Sequence, residues 1–195
     1  MKLPRHLLLF ILVAAATPTL SSAAACHPDD EASLLGFKSG TNRDPSGLLN
    51  SWKPGTDCCT WDGITCFINR VSTIWLQANQ PNISLSGTIS PALSKVRNLD
   101  GIYLINLINI SGRFPELLFG LPNLEYVYIE NNKLSGTLPQ TIGKLKKLEA
   151  LSFAGNRFTG PIPSSISALT GLTQLKLRQN FLTDTVRLEL SNLRT

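Results

Sequence analysis

One phrase recurs in this sequence at a period of 24 residues. ENNKLSGTLP (130–139) and AGNRFTGPIP (154–163) both read Asn, any residue, apolar, Ser or Thr, Gly, any residue, apolar, Pro. Apolar residues lie eight, five and three positions before each Asn, which for Asn132 are Leu124, Val127 and Ile129. A coil of this length cannot bury its apolar residues alone, so the period predicts a solenoid of stacked coils.

The repeated letters have structural tasks. Val127 and Ile129 are spaced by two and point the same way from a short strand, so strands of successive coils are predicted to pair in parallel. The repeated Asn follows the strand, where its amide can satisfy backbone groups of the turn. Gly136 and Gly160 allow the bend that comes next. Function must therefore lie in the letters that vary.

Two earlier copies depart from the phrase. The first has Asn79 at the Asn position and extra residues before LSGTIS (85–90). The next begins at Leu99, is one residue longer, and is interpreted as placing Ile108 where the Asn would stand. We interpret 71–195 as about five repeats without a carboxyl-terminal cap.

The phrase N-x-L-S-G-x-L-P on this period resembles the plant-specific class of extracellular leucine-rich repeats. LLGFKSG, DPSGLLNSW and DCCTWDGITC, all within 26–70, look like the cap that precedes such repeats. The nearest relatives by this resemblance are polygalacturonase-inhibiting proteins and secreted plant proteins named for DNA-damage repair and toleration; ectodomains of plant receptor-like kinases share the units. The resemblance implies an α/β fold, a right-handed leucine-rich-repeat solenoid with a disulfide-bonded amino-terminal helical cap, and a binding role.

The first 25 residues predict export. Lys2 and Arg5 form a basic start, residues 7–13 are apolar, and residues 21–25 are small, with cleavage expected before Cys26. An uncleaved signal anchor is the alternative. Since no later apolar run is long enough to span a bilayer, we expect a protein secreted to the extracellular space or cell wall, without a transmembrane segment.

The charge balance is mildly basic. The chain has 18 basic and 13 acidic residues, and without Lys2 and Arg5 the difference is three. This charge could favour an acidic wall polysaccharide. The sequence lacks the clustered basic residues of a nucleic-acid-binding protein, and this absence also argues against a role in DNA repair.

Four cysteines follow the signal peptide, and an even count in a secreted chain predicts two disulfides. Spacing alone leaves three pairings open, whereas the resemblance implies Cys26 with Cys58 and Cys59 with Cys66. A zinc site including His27 is the rival interpretation, but zinc motifs use spaced Cys pairs and export favours oxidation. No metal or cofactor is expected.

The chain offers little catalytic chemistry. His6 lies in the signal peptide, so His27 is the one candidate base for a nucleophilic site. Glu125 and Glu130 could form a glycosidase pair, but exposed surface carboxylates are the simpler interpretation. We predict a protein that is not an enzyme.

The variable strand positions are the candidate binding site. In a solenoid, strand residues outside the core face the concave side, and here they include three aromatic residues, one acid and two cations: Trp75, Tyr103, Tyr128, Glu130, Lys176 and Arg178. Exposed aromatic residues are enriched at interfaces, although they also suit strands and stack on one another. We predict that this face recognises a protein, either a cell-wall-degrading hydrolase such as a polygalacturonase or a receptor ectodomain.

Other residues carry narrower expectations. Asn82 and Asn109 fit the N-glycosylation sequence Asn-x-Ser and are expected in irregular stretches. Trp52 and Trp61 are expected to cover the apolar edge of the first coil, with sugar stacking by Trp61 as the alternative.

The carboxyl end departs from the resemblance. Residues 184–187 read DTVR where Gly-x-Ile-Pro is expected, and the sequence ends at Thr195. The alternative to a binding module is therefore a truncated fragment of a longer leucine-rich-repeat protein or receptor-like kinase ectodomain.

Overall fold

The computed structural model describes residues 26–80 and 83–183. The predicted signal peptide, Asn82 and the segment from residue 184 onward, whose sequence departs from the repeat, lie outside these residues.

The cap begins with helix α1 (Pro28–Ser39). His27 caps it, because its Nδ1 accepts a hydrogen bond from the Asp29 N–H at 3.2 Å. Acidic residues fill the first turn, where they complement the helix dipole. Disulfides join Cys26 to Cys58 and Cys59 to Cys66, which is the pairing that the resemblance implies.

An ion pair fastens the helix to the first coil. The carboxylate of Asp30 is fully buried and accepts two hydrogen bonds from Arg70, each at 2.8 Å. It also accepts the N–H of Val71 at 3.0 Å. All these donors belong to one strand, so the contact fixes the position of α1 relative to the first coil.

Two tryptophans form the centre of the cap. Trp52 and Trp61 stack with ring centroids 5.6 Å apart and are 0% and 3% exposed. Their indole N–H groups donate to the Asp62 carbonyl and the Thr56 hydroxyl. Both rings belong to the core, and the Trp61 ring is not available for sugar stacking.

Six strands form what we call the main sheet. It contains a hairpin of antiparallel strands followed by one parallel strand from each later coil: β2 (Ile64–Phe67), β3 (Arg70–Gln77), β5 (Gly101–Ile105), β7 (Tyr126–Glu130), β9 (Ala150–Ser152) and β11 (Gln174–Lys176). Hydrogen bonds hold such strands about 4.8 Å apart, closer than helical turns can pack. The main sheet therefore lies on the concave side.

A second, side sheet follows the main sheet in every coil. Its strands are β1 (Thr41–Arg43), β4 (Leu85–Thr88), β6 (Ile108–Gly112), β8 (Lys133–Thr137), β10 (Arg157–Gly160) and β12 (Phe181–Leu182). Short 3-10 helices complete the coils at Pro91–Lys95, Glu116–Gly120, Gln140–Lys144 and Ser164–Ala168, and a further one lies in the cap at Cys58–Thr60.

The periodic apolar residues form one continuous core. Val127, Ile129, Leu148, Leu151 and Phe153 are all 0% exposed. They lie in the same cluster as the tryptophans of the cap. The solenoid predicted from the 24-residue period is therefore confirmed.

The repeated Asn residues join neighbouring coils. The Nδ2 of Asn156 donates to the Ile129 carbonyl at 2.7 Å and the Phe153 carbonyl at 3.0 Å. Its Oδ1 accepts the Leu134 N–H at 3.1 Å. Asn180 repeats this arrangement one coil later, so the amide pairs backbone groups of two coils at once.

The longer coil differs from the prediction. Ile105 pairs with Glu130, so the position of Asn132 belongs to Leu107, which is 0% exposed. The prediction that Ile108 takes the Asn position was wrong. Ile108 is the inserted residue: it is 45% exposed and has a φ of 53°, because the Asn109 N–H turns back to the Leu107 carbonyl at 2.7 Å.

Candidate functional site

The central row of the main sheet contains the predicted aromatic residues. Trp75, Tyr103, Tyr128, Ser152 and Lys176 are paired in register along five strands. We call these five residues the central row. They alternate with core residues such as Ile102 and Leu104, so their side chains point to the concave side, where Ser152 is fully buried and the other four are partly or well exposed.

The aromatic rings of the central row stack on each other. Ring centroids lie 4.4 Å apart for Trp75 and Tyr103, and 5.1 Å apart for Tyr103 and Tyr128, with interplanar angles of 18° and 8°. Lys176 Nζ lies 5.8 Å from the centroid of the Tyr128 ring, within the range of a cation–π interaction. The parallel register thus brings four of the six predicted site residues into one row.

A glycine makes room for the stack. Gly101 lies on the same face as Tyr103, and a Cβ there would come within 2.9 Å of the Cε2 atom of Tyr103. Any larger residue at position 101 would push the Tyr103 ring away from its place in the stack.

Polar partners hold the carboxyl-terminal part of the row. The Tyr128 hydroxyl donates to Gln174 Oε1 at 2.7 Å, and the Ser152 hydroxyl donates to Glu130. Burial, together with the nearby charge of Glu130, raises the pKa of Tyr128. Gln174 and Ser152 were not among the predicted site residues, although counting along the 24-residue period assigns both to the concave face.

Arg178 is not a member of the central row, but it follows the last member, Lys176, by two residues. It is exposed and follows β11, whose last residue is Lys176. Tyr126 and Glu149 form a further surface contact, in which the tyrosine hydroxyl donates to Glu149 Oε2 at 2.6 Å. This hydrogen bond raises the pKa of Tyr126 to about 12.

Within the described residues, neither the candidate carboxylate pair nor the cysteine cluster forms a catalytic or metal-binding site. Glu125 and Glu130 lie before and at the end of the same strand, and Glu130 is engaged by Ser152. The sulfur atoms of Cys26, Cys58 and Cys59 lie close together, but all three are in disulfide bonds.

None of the helices described in residues 26–80 and 83–183 has the length and apolar character needed to cross a membrane.

Asn109 lies in β6 of the side sheet, not in an irregular stretch as expected. Its side chain is half-buried, and its Oδ1 accepts a hydrogen bond from Lys133 Nζ. The side sheet is separate from the main sheet, so a group attached at Asn109 would stand beside the concave face.

Together, the cap, the stacked coils and the concave aromatic row define a leucine-rich-repeat protein. Residues 27–67 match the family model of the leucine-rich-repeat N-terminal domain, and residues 122–182 match that of the leucine-rich repeat. The chain belongs to the plant leucine-rich-repeat family.

Known proteins agree with this assignment. The chain is 36% identical over 135 residues to the leucine-rich repeat protein FLOR 1 of Arabidopsis thaliana, covering 69% of this chain and 39% of that protein. It is 33% identical to a polygalacturonase inhibitor of Vitis vinifera, covering 64% of this chain and 36% of the inhibitor. The matched region thus spans less than half the length of either relative.

A solved structure matches a larger share of this chain than these two relatives do. A chain in the crystal structure of the BIR3–SERK2 complex from Arabidopsis thaliana is 32% identical and superposes with a TM-score of 0.72. The match covers 83% of this chain and 87% of that one.

Proposed function

We propose that this protein is a secreted, non-enzymatic binding module that recognises a protein partner through its concave face. The observation that carries the proposal is the central row: its aromatic rings are held in fixed positions by stacking, yet they lie outside the leucine core. Pre-ordered aromatic residues are favourable contact residues, because little side-chain entropy is lost when they bind.

The relatives support a protein partner. One relative is named as an inhibitor of polygalacturonase, and the solved structure is a complex of BIR3 with SERK2. A cell-wall-degrading hydrolase and a receptor ectodomain are therefore the two partner classes we propose.

The stack itself favours protein over polysaccharide. Sugars bind aromatic residues face-on, but here the ring faces are turned to each other at 4.4 and 5.1 Å, which leaves no room for a sugar between them. Ring edges point outward instead, and such edges suit the mixed apolar and polar contacts of a protein interface. An acidic polysaccharide would have to rely on Lys176, Arg178 and the one uncovered ring face, that of Trp75 at the end of the stack.

A charge reversal tests the face. Fungal polygalacturonases and plant receptor ectodomains are screened for binding to the immobilised protein, and each binder is then tested with Arg178→Glu. Because Arg178 lies exposed beside the central row, we expect at least tenfold weaker binding. Arg157→Glu makes the same charge change on the side sheet and should alter the affinity less than twofold. Equal effects of the two substitutions, or none, would refute the concave-face assignment.

Processing provides a separate test. We propose that the signal peptide is removed and that Asn82 and Asn109 carry glycans. Protein secreted by plant cells should begin at Ala25 or Cys26, and peptide N-glycosidase should reduce its mass. Retention of residues 1–25 would contradict export by a cleaved signal, and an unchanged mass would contradict glycosylation.

A further inference from the structure

The aromatic stack ends at Trp75, and the outer face of this indole ring is open. Tyr103 covers the inner face at 4.4 Å. The backbone N–H of Trp75 donates to the Gly63 carbonyl at 2.7 Å, so Gly63 is its neighbour in the hairpin. Because glycine has no side chain to cover the ring, Trp75 remains 49% exposed.

The open face is fixed by the backbone. Gly63 has a φ of 78°, a conformation that other residues rarely adopt. A Cβ at this position would lie 2.4 Å from the Trp75 carbonyl oxygen. The hairpin therefore requires a glycine beside the indole, and the uncovered ring face follows from it.

The other end of the same stack shows what such a ring face accepts. Ser152, the next member of the central row, is too short to cover Tyr128, and Lys176 reaches over that ring with Nζ 5.8 Å from the centroid. Among the described residues, no equivalent cation lies over Trp75. Indole is the stronger acceptor of the two ring types in cation–π contacts.

Two acidic residues lie in the chain segments next to the strand that contains Trp75. Asp62 is exposed and directly precedes Gly63. Asp100 directly precedes β5, the strand on the other side of β3. Its Oδ1 accepts a hydrogen bond at 3.1 Å from the hydroxyl of Thr73, two residues before Trp75. Asp62 precedes β2 and Asp100 precedes β5, the two strands that pair with β3, and this negative charge favours a cation over a neutral ring or a negatively charged sugar.

We propose that the outer face of Trp75 is a subsite for an arginine or lysine side chain of the protein partner. The inference rests on the proposed protein-binding function, and it names a cationic side chain that the partner must present. The bound cation would extend the central row by one layer, as Lys176 does at the other end.

Indole resonances provide the test. The chain has three tryptophans, and the Trp52 and Trp61 indoles are buried in the cap, where they serve as internal references. Nitrogen-15-labelled protein without residues 1–25 is titrated with acetyl-Gly-Arg-Gly-amide, with its uncharged citrulline counterpart, and with trigalacturonate. Trp75→Phe assigns the Trp75 signal.

We expect the arginine peptide to shift the Trp75 indole signal at least threefold more than the citrulline peptide at equal concentration. The Trp52 and Trp61 signals should stay in place. Asp62→Asn should reduce the shift at least twofold, whereas Asp29→Asn, which removes the same charge from the exposed start of α1, should leave it unchanged.

Three results would overturn the subsite. Equal shifts with arginine and citrulline would mean stacking without a role for charge, a larger shift with trigalacturonate would mean a sugar site, and no shift with any probe would mean no site. These results are separable from the test of the proposed function. A protein partner whose binding is sensitive to Arg178→Glu can exist without this subsite.

Discussion

The carboxyl-terminal coils and the first two coils are built on the same period but are joined differently. Asn132, Asn156 and Asn180 donate to main-chain carbonyls of two coils, and two of these residues are at least 94% buried. In the first two coils the same position is held by Asn79, which is exposed, and by Leu107. The carboxyl-terminal coils, which we call the regular half, are therefore connected by amide hydrogen bonds. The first two coils, which we call the irregular half, are connected mainly by apolar packing and strand pairing.

At the boundary between the halves, Asn132 is only partly hydrogen-bonded. Its Nδ2 donates to the Leu104 and Glu130 carbonyls, but its buried Oδ1 has no partner. In the next coil the equivalent oxygen accepts the Leu134 N–H, whereas the coil before Asn132 is the one that contains the extra residue Ile108. Among the described residues, four of the five exposed large apolar residues precede the regular coils: Phe67 and Ile68 in the cap, and Trp75 and Ile108 in the first two coils. Departures from strict repetition therefore leave apolar side chains exposed.

The largest effect is expected for Asn156→Ala in the regular half. The substitution removes the side-chain partner of the Ile129 carbonyl and of the Leu134 N–H in a buried site, whereas the Phe153 carbonyl keeps its hydrogen bond from Asn180 Nδ2. We expect the free energy of unfolding to fall by about 3 kcal/mol, measured by urea denaturation. Asn123→Ala, at an exposed pair of hydrogen bonds, should cost less than about 1 kcal/mol. Similar losses in both variants would show that the buried amides do not join the coils.

Asn132→Ala should cost about 2 kcal/mol, roughly 1 kcal/mol less than the substitution of Asn156. The reason is that only the donor side of this amide is satisfied. The same urea experiment measures the difference, with the two variants compared side by side. A loss as large as that of Asn156→Ala would mean that the Asn132 oxygen has a partner, for example a buried water.

Deletion of Ile108 should stabilise the protein by about 1 kcal/mol. A 24-residue coil would bring the Ile110 N–H to the Asn132 oxygen in the way that the Leu134 N–H reaches Asn156. The gain is measured by urea denaturation and should vanish when the deletion is made together with Asn132→Ala. A gain of equal size in both backgrounds would attribute it to removal of the strained left-handed residue instead.

The smallest effect concerns alkaline titration of the three tyrosines. The hydrogen bond to Glu149 raises the pKa of Tyr126 to about 12, and burial raises the pKa of Tyr103 and of Tyr128. Since unfolded tyrosine ionises near pH 10, the folded state favours the neutral form. The associated stability is present below about pH 10 and declines as the pH rises toward 12.

Near-ultraviolet phenolate absorbance, recorded in native and urea-unfolded protein, checks this prediction. Glu149→Gln should lower the pKa of Tyr126 and leave the other two tyrosines unchanged. Coincident native and unfolded titration curves would contradict the prediction.

Much of the coil could be predicted from the sequence. Residues such as Val127, Ile129 and Leu151 follow a spacing that only a strand in a stacked coil explains, and they are buried. The same arithmetic correctly assigned Trp75, Tyr103 and Tyr128 to one register, because parallel pairing is fixed by the period.

The rest depends on contacts that no period contains. Whether the extra residue of the longer coil lies before or after the Asn position depends on which side chain packs into the core: Leu107 is buried, and Ile108 is exposed in a left-handed turn. The open face of Trp75 depends on a glycine from a different strand of a hairpin. The partner of Asp30 lies 40 residues away, and its identity follows only from the docking of the helix.

The Asp30–Arg70 contact has an evolutionary consequence. Both carboxylate oxygens are engaged by the guanidinium, and one also accepts a backbone N–H, so neither side chain can change alone without leaving a buried or half-buried charge unpaired. Lineages should therefore keep both residues or replace both together. Among related caps, positions 30 and 70 are expected to covary, and a chimera that exchanges the cap helix but not the first strand should fold only when the two parents share this pair.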